Sequence, residues 1–325
     1  MRWLRRAWPF VAFAAALFLA GTIYLPYYSI GPGPARPVGP LIRFDDHPRY
    51  ESEGSFVLTS IHYEQLTPLG ILQSWLDPGR SVVSREFLFR PGETIEEERR
   101  RTTSDMDQSK LDAAYVVLEA LTGYPEEHGE GVLIESVVLG CAADGELFPG
   151  DLVHTIDGDE VDDVEQASLA IRAAPAGARI SFDVTVDGEL QAVSMIREPC
   201  GGQERAIVGV SMIESFPFDL RISSGGIGGP SAGLAWALGL YDLLTPGDLA
   251  NGRTIAVTGA LGIDGTVFPI GAPSEKVAAA SDAGATVLIL PQDNLTEARS
   301  IGDRGVELVA VDSFEEALAY LQGNE

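Results

Sequence analysis

The spacing of apolar and polar residues predicts a different kind of structure in each of three segments of the chain. After residue 200, apolar runs typical of strands alternate with segments of helical period, and Ser313 with Glu316 forms the capping-box pattern that begins a helix. Strands that alternate with helices indicate an α/β layer structure. The predicted strands are 206–213, 218–222, 254–258, 287–290 and 307–311, and the predicted helices are 230–244, 273–283 and 313–321.

Residues 129–198 show short runs of β-forming residues instead. Asp157-Gly158 within this segment is a signal for a tight hairpin turn. The segment therefore predicts a small β-rich domain with one inserted helix. Its predicted strands are 132–138, 152–156, 180–186 and 191–196, and its predicted helix is 164–173.

The N-terminal segment begins with a long apolar run. Residues 7–25 carry no charge over 19 residues, and Arg2, Arg5 and Arg6 precede them. Such a run is long enough for a transmembrane helix, and the positive-inside rule then places Met1 in the cytoplasm and the rest of the chain on the other side of the cell membrane. A cleaved signal peptide is the alternative, but the aromatic residues that follow the run are typical of an interfacial belt and favour an uncleaved anchor.

The pattern between this anchor and the β-rich segment is mixed. Residues 29–40 are rich in Gly and Pro and predict a stiff stalk, whereas 91–106 are polar and predict a mobile surface segment. A strand is predicted at 56–62 and an amphipathic helix at 111–121. The predicted divisions are a cytoplasmic N-terminus 1–6, an anchor 7–25, a stalk and N-terminal extracytoplasmic region 26–125, a β-rich domain 126–200 and an α/β domain 201–325.

Composition and charge exclude several classes of ligand. The net charge is −26 at pH 7, whereas binding to nucleic acid depends on clustered Lys and Arg. The four histidines have no metal-binding spacing and the two cysteines form no C-x-x-C pattern, so no metal is expected. Cys141 and Cys200 either pair or remain buried thiols, and the sequence favours neither.

Candidate chemistry lies in the last third of the chain. Residues 229–233 match G-x-S-x-G around Ser231, but an α/β-hydrolase needs a histidine after that serine, and none follows His154. A catalytic Ser231 therefore needs another base. Pro230 suits the first position of a helix, whose first amides are available to an oxyanion. A glycine-rich phosphate cradle is the alternative, but no lysine completes a Walker-type run, which disfavours nucleotide binding.

Lys276 is the candidate base because lysine is so rare here. Only Lys110 and Lys276 are lysines among 22 basic residues. Lysine can lose its proton in a protein whereas arginine cannot, and a base near neutral pH needs a pKa lowered from about 10.4 to roughly 7 or 8. Pro273 places Lys276 in the first turn of a helix, where the helix dipole disfavours an ammonium. An ordinary exposed lysine is the alternative.

Residues 129–198 resemble the bacterial form of the PDZ domain. The resemblance lies in the run Gly131-Val132-Leu133-Ile134, the turn Pro149-Gly150-Asp151 and the hairpin signal Asp157-Gly158, in that order. PDZ domains bind an extended chain as an added strand at a sheet edge beside a helix. For any single residue a place in the core is the ordinary alternative. The resemblance implies a groove lined by Val132, Leu133, Ile134, Ala167 and Ile171.

The last 125 residues resemble the proteolytic domain of the Lon family. The matching motifs are Gly228-Gly229-Pro230-Ser231-Ala232-Gly233, Thr258-Gly259, Gly265-x-Val267-x-Pro269-Ile270-Gly271, Lys276-x-x-Ala279-Ala280 and Gly284-Ala285. With the predicted anchor and PDZ domain, the chain is similar to the membrane-bound, PDZ-containing Lon-like proteases of bacteria, which lack the ATPase ring. The resemblance implies a Ser231–Lys276 dyad, positioned by Thr258 and supported by the neighbours Gly229 and Ala232.

These patterns together predict an α/β Lon-type protease domain plus a β-rich PDZ domain, behind one N-terminal transmembrane helix. The expected function is an ATP-independent serine endopeptidase without cofactor, acting on proteins or peptides that the PDZ domain captures. The sequence leaves open whether the chain forms a homo-oligomer. The sequence departs from the family pattern at two places. Gly226 stands where such proteins often have Asp, and residues 271–274 replace a Gly-Gly-hydrophobic run. Both departures are expected to change the substrate cleft and not the dyad. The alternative is a PDZ-based membrane scaffold with an inactive protease domain, against which the intact dyad counts.

Overall fold

The structure is a computed structural model that describes residues 2–45, 47–77, 79–186 and 188–323. The prediction that Met1 lies in the cytoplasm falls outside these residues. The α-helices of the described part are α1 (Arg2–Thr22), α2 (Pro68–Trp75), α3 (Arg85–Leu88), α4 (Ile95–Leu121), α5 (Val164–Ala173), α6 (Gly233–Leu244), α7 (Pro273–Asp282), α8 (Leu295–Arg299) and α9 (Phe314–Gln322).

The strands of the same residues fall into several sheets. They are β1 (Tyr27–Pro32), β2 (Arg36–Pro37), β3 (Ile42–Phe44), β4 (Ser55–Leu58), β5 (Ile61–Gln65), β6 (Ser81–Ser84), β7 (Val132–Val137), β8 (Leu152–Ile156), β9 (Asp159–Glu160), β10 (Arg179–Val186), β11 (Glu189–Ile196), β12 (Glu198–Pro199), β13 (Ala206–Ile207), β14 (Val210–Glu214), β15 (Leu220–Ile222), β16 (Thr254–Val257), β17 (Ala260–Leu261), β18 (Val267–Phe268), β19 (Val287–Pro291) and β20 (Glu307–Val311).

The prediction of a transmembrane anchor is wrong. Within the described ranges, no helix combines the length and the apolar character that a bilayer crossing requires. Helix α1 ends at Thr22, so the helical part of the apolar run is residues 7–22, which is 16 residues. At 1.5 Å per residue these span about 24 Å, which is short of a hydrocarbon core of about 30 Å. The predicted fold class therefore loses its transmembrane helix, and the predicted location as a single-pass protein of the cell membrane is wrong for the same reason.

A five-stranded sheet forms the frame of the α/β unit. Its strand order is β2-β4-β16-β19-β20, in which the last four strands run parallel and β2 is antiparallel at the edge. Strand β4 comes from the region 26–125, which therefore contributes to the α/β unit instead of preceding it as a separate region. The register pairs Leu58 with Val257, so the carboxyl ends of β4 and β16 lie side by side.

Alternate residues of these strands face two separate cores, as expected for a parallel sheet with helices on both faces. Phe56, Leu58 and Val257 pack into the larger core, which also contains buried residues of α4, α6 and α9. Val57 and Ala256 face the smaller core, under α7 and α8. The α/β unit thus has three layers, and α6 is buried over nearly its whole length in one of them.

Two segments that the sequence predicts as irregular are regular in the structure. The predicted stalk covers residues 29–40, and its first four residues belong to β1, which pairs with both β5 and β6. Most of the polar segment 91–106 forms the first half of α4, which begins in a capping box between Thr94 and Glu97. Polar residues occupy several buried positions of α4, so the apolar periodicity that identifies a helix is weak there.

The β-rich unit is a sheet of order β11-β10-β8-β7-β14, with β9 paired to β8 and with α5 beside β14. Strand β14 lies beyond residue 200, so the unit extends past its predicted boundary. A disulfide joins Cys141 to Cys200, with their Cα atoms 5.3 Å apart, and this answers the question that the sequence left open. A Cβ at Gly209 would lie 2.3 Å from the Cβ of Cys141, so the bridge packs directly against the backbone that leads into β14.

Asp112 and Glu135 place two carboxylates between α4 and β7. Asp112 is 6% exposed, and its Oδ1 has no hydrogen-bond partner among the described residues. Glu135 accepts a hydrogen bond of 2.9 Å from Gln108. Burial, and to a smaller extent the charge of Glu135, raises the pKa of Asp112 to about 8. The folded chain therefore holds a proton on Asp112 at neutral pH, whereas the unfolded chain does not.

We predict that Asp112→Asn stabilises the chain more at pH 8.5 than at pH 5. Between the unfolded pKa near 4 and the folded pKa, the folded state binds one more proton than the unfolded state, so the wild-type contribution of this residue falls as pH rises. The gain of the variant should be larger at pH 8.5 by up to about 4 kcal/mol, measured by urea unfolding. Glu119→Gln, on an exposed position of α4, is the control. Equal gains at both pH values would contradict the prediction.

Candidate active site

Ser231 lies in a tight turn at the start of a buried helix. Pro230–Ala232 forms a short 3₁₀ helix that leads directly into α6, and Gly229 precedes it with φ of 89°. A side chain at that φ would be strained, which explains the glycine. The first amides of such a turn lack intrahelical partners, so those of Ser231 and its neighbour Ala232 are available to an oxyanion.

Helix α4 holds this turn from the side. The Gly229 N–H donates to the carbonyl of Thr102 over 2.7 Å, and the Ser109 hydroxyl donates to the carbonyl of Pro230 over 2.9 Å. A Cβ at Gly233, the last glycine of the G-x-S-x-G pattern, would lie 2.9 Å from atoms of Ser109 and Leu261. That glycine is therefore required for close packing. Thr102 and Ser109 have no sequence signal of this role, because they lie in or directly after the polar first half of α4, where apolar periodicity is weak.

Thr258 connects the backbone of Ser231 to the side chain of Lys276. Lys276 Nζ donates to Thr258 Oγ1 over 3.0 Å, and Thr258 Oγ1 donates to the Ser231 carbonyl over 3.1 Å. The Gly259 N–H donates to the same carbonyl over 2.8 Å. Thr258 follows β16 directly, so the parallel sheet fixes the position of its hydroxyl. Within the described part of the chain, Thr258 is the only hydrogen-bond partner of the Lys276 amine.

The Lys276 side chain is removed from water. It is 3% exposed, in the first turns of α7, which starts after Ala272 in a left-handed conformation with φ of 54°. Burial lowers the pKa of Lys276 to about 7. No carboxylate lies within ion-pair distance of the amine among the described residues, Glu275 included. A neutral amine near pH 7 is a proton acceptor, which is the property required of a general base.

Ser231 and Lys276 line one cleft of about 640 Å³. The supporting residues Gly229 and Ala232 line it too, while Thr258 lies buried behind it. Of the glycines before Ser231, Gly226 and Gly229 have nothing within 4 Å of a would-be Cβ, so this wall of the cleft is open to a substrate backbone. Further lining residues come from α4, from the segment around β5 and from residues 269–272. Among the described residues, no group of His, Cys, Asp or Glu side chains could hold a metal ion.

Four of the five predicted peptide-binding residues of the β-rich unit lie inside it. Val132, Ile134, Ala167 and Ile171 belong to one buried core cluster, and Leu133 lies between them on β7. Hydrogen bonds to β8 and β14 occupy both edges of β7, so this strand has no edge to offer. Strand β14 is the terminal strand of the sheet beside α5, and Glu214 at its end accepts hydrogen bonds from the Val164 N–H at 3.1 and 3.2 Å. The edge available to an added strand is therefore that of β14.

Comparison with known families finds a match over the part of the chain that contains Ser231 and Lys276. Residues 177–322 match the model of the Lon protease (S16) C-terminal proteolytic domain. Lon protease 2 of Bacillus subtilis is 36% identical over 104 residues, which is 31% of this chain and 18% of that protein. Lon protease of Desulfosudis oleivorans is 29% identical over 180 residues, or 55% of this chain and 20% of that protein. The chain spans only about a fifth of the length of these relatives.

Comparison with solved structures finds matches that cover about a quarter of this chain. The PDZ domain of an SdrC-like protein from Listeria monocytogenes is 18% identical with a TM-score of 0.25, and covers 26% of this chain and 90% of that one. A protein from Geobacillus thermodenitrificans, solved in solution, is 26% identical with a TM-score of 0.23, and covers 25% of this chain and 95% of that one.

We predict that Thr258→Val lowers peptidase kcat by about 10- to 100-fold, the usual cost of losing a residue that orients a reacting group. Valine keeps the shape of threonine but removes the hydroxyl that bridges Lys276 and the Ser231 carbonyl. The assay is kcat on a fluorogenic peptide together with a melting curve. Thr254→Val makes the same change at the other end of β16 and should retain activity. Full activity in folded Thr258→Val would rule out the positioning role.

Proposed function

We propose that this chain is a serine endopeptidase in which Ser231 is the nucleophile and Lys276 the general base, and that it cleaves polypeptides without ATP. The observation that carries the proposal is the buried Lys276 amine, which shares a cleft with Ser231, has a pKa of about 7, and is joined to the serine backbone through Thr258. A lysine without a counter-ion in a buried cleft destabilises the fold if it is charged, so its retention points to function.

The reaction follows from the roles of these groups. The neutral amine of Lys276 takes the proton of the Ser231 hydroxyl as its oxygen attacks the carbonyl carbon of the peptide bond. The amides of the Ser231 turn stabilise the resulting oxyanion. When the carbon–nitrogen bond breaks, the Lys276 ammonium returns its proton to the leaving amine. Water then attacks the acyl-enzyme, Lys276 accepts its proton, and Ser231 is regenerated.

ATP independence is supported by the chemistry of the sequence. The chain has no G-x-x-x-x-G-K-[ST] run, and its two lysines are Lys276 and Lys110, the second of which pairs with Asp107 at 2.6 Å. Peptide-bond hydrolysis needs no nucleotide when the substrate reaches the cleft in an extended form. We therefore expect loosely folded polypeptides to be the substrates.

Substrate capture is assigned to the β-rich unit. A PDZ-type unit binds an extended chain as an additional strand, and β14 offers the terminal edge beside α5. Met212 on β14 packs against the core cluster that contains Ala167 and Ile171, so an added strand would contact both β14 and α5. This replaces the groove on β7 that the sequence predicts.

We predict that kcat/KM rises with pH through about 7 and then levels off, because protonated Lys276 cannot accept the Ser231 proton. Lys276→Arg keeps a positive charge but cannot serve as a base, so it should be as inactive as Lys276→Ala and Ser231→Ala. The measurement is the initial rate on a protein substrate and on a fluorogenic peptide between pH 5 and 9.

Lys110→Arg is the matched control, since it alters the other lysine of the chain and should remain active. ATP and a metal chelator are added in separate assays and should leave the rates unchanged. Appreciable activity in folded Lys276→Arg would eliminate the lysine as base, and a strict requirement for nucleotide would eliminate ATP independence.

We predict that Met212→Glu raises KM for a protein substrate at least about fivefold while it changes the turnover of a short peptide by less than about twofold. A charge on β14 opposes the added strand and lies away from the Ser231 cleft, and a melting curve verifies that this variant, altered at a position packed against the core, remains folded. Leu190→Glu, on the opposite edge strand β11, is the control and should leave both values near wild type. An equal loss on protein and peptide would argue against capture by β14.

A further inference from the structure

The cleft that holds Ser231 also contains a buried carboxylate that the proposed reaction does not use. Glu98 of α4 is 7% exposed and lines this cleft. The walls of this cleft include the apolar side chains of Ile61, Leu88, Met106 and Ile270. A carboxylate in such a wall loses hydration and is costly unless another group compensates its charge.

One neutral donor reaches Glu98 from the protein. The Tyr63 hydroxyl donates to Glu98 Oε2 over 2.9 Å, while Oε1 accepts no hydrogen bond from a described residue. The Tyr63 ring is held against Tyr28 and Phe89, at centroid distances of 6.1 and 6.4 Å. Burial and the neighbouring Glu98 raise the pKa of Tyr63 to about 12, so the phenol keeps its proton. Tyr63 orients the carboxylate but leaves its charge uncompensated.

The nearby cations are not ion-paired with Glu98. Arg101 pairs with Glu93 at 2.8 Å and with Asp105 at 3.6 Å. Arg99 is an exposed residue on the rim of the cleft, where solvent screens its charge. Among the described residues, no ion pair joins Glu98 to Arg99, Arg101 or Lys276. Arg101 is already paired with Glu93 and Asp105, and among the described residues that line the cleft Glu98 is the carboxylate without an ion-pair partner.

We propose that Glu98 determines specificity by binding the ammonium or guanidinium of a substrate Lys or Arg side chain close to the scissile bond. This inference rests on the proposed function, since it concerns a substrate of the same cleft. A cationic side chain would extend past the apolar wall and give Glu98 Oε1 a charge-assisted hydrogen bond. A neutral side chain leaves the carboxylate unpaired, and an acidic one is repelled.

The test measures cleavage by the full chain on matched peptides that differ only in carrying Lys, norleucine or Glu at one position near the cleaved bond. Cleavage sites and kcat/KM are read by mass spectrometry, with Ser231→Ala as the blank. We expect wild type to prefer Lys over norleucine by about tenfold or more, as one charge-assisted hydrogen bond allows. Glu98→Gln should reduce this ratio to below about threefold, and Glu98→Lys should reverse the order of the Lys and Glu peptides.

Glu96→Gln is the matched control, because it removes a carboxylate from an exposed position on α4 and should keep the tenfold ratio. Ser231-dependent cleavage without a preference for Lys would overturn the inference and leave the proposed function intact. A preference for Lys that persists in folded Glu98→Gln would also overturn it. Absence of any Ser231-dependent cleavage would overturn both. Because the readout is a ratio within each variant, partial loss of folded protein does not imitate the expected result.

Discussion

An amine held out of water is the constraint on which the α/β unit depends. An isolated ammonium at the position of Lys276 would cost several kcal/mol in lost hydration, and the described residues provide no counter-ion. The fold relieves that cost by letting the amine lose its proton near pH 7. This requires a dry and rigid surrounding, which the parallel sheet and α7 supply, and a hydroxyl partner, which Thr258 supplies at the end of β16.

Helix α4 connects the separate parts of the molecule. Near its start it carries Glu98 in the cleft, near its middle it holds the Ser231 turn through Thr102 and Ser109, and further on Asp112 faces Glu135 of the β-rich unit. Helix α4 therefore contacts the wall of the cleft, the Ser231 turn and the sheet of the β-rich unit. A displacement of this helix by the β-rich unit would reach Ser231 without passing through a flexible loop.

The sequence predicts the elements with strong periodicity well, and it fails where buried positions are polar. Helix α5 and strands β8 and β20 have the bounds that their patterns indicate, and the residues proposed as nucleophile and base lie in one cleft. The first half of α4 was not predicted because buried Glu98 has the polarity of a surface residue. The position of β14 at the edge of its sheet follows from its pairing with β7, which lies more than 70 residues earlier in the chain, and a local sequence pattern does not show such pairing. The N-terminal helix was predicted too long because composition does not show that it ends at Thr22.

The β-rich unit lies within the chain of the catalytic unit, between β4 and β16. Leu58 and Val257 are neighbours in the sheet but are separated by almost 200 residues of chain. During synthesis from the N-terminus, β4 therefore has no parallel partner until the β-rich unit and α6 have been made. Ser231 leaves the ribosome before Thr258 and Lys276, so the proposed nucleophile exists for a time without its proposed base. A chain that ends between Ser231 and Lys276 carries the serine without the lysine, so the complete cleft appears only late in synthesis.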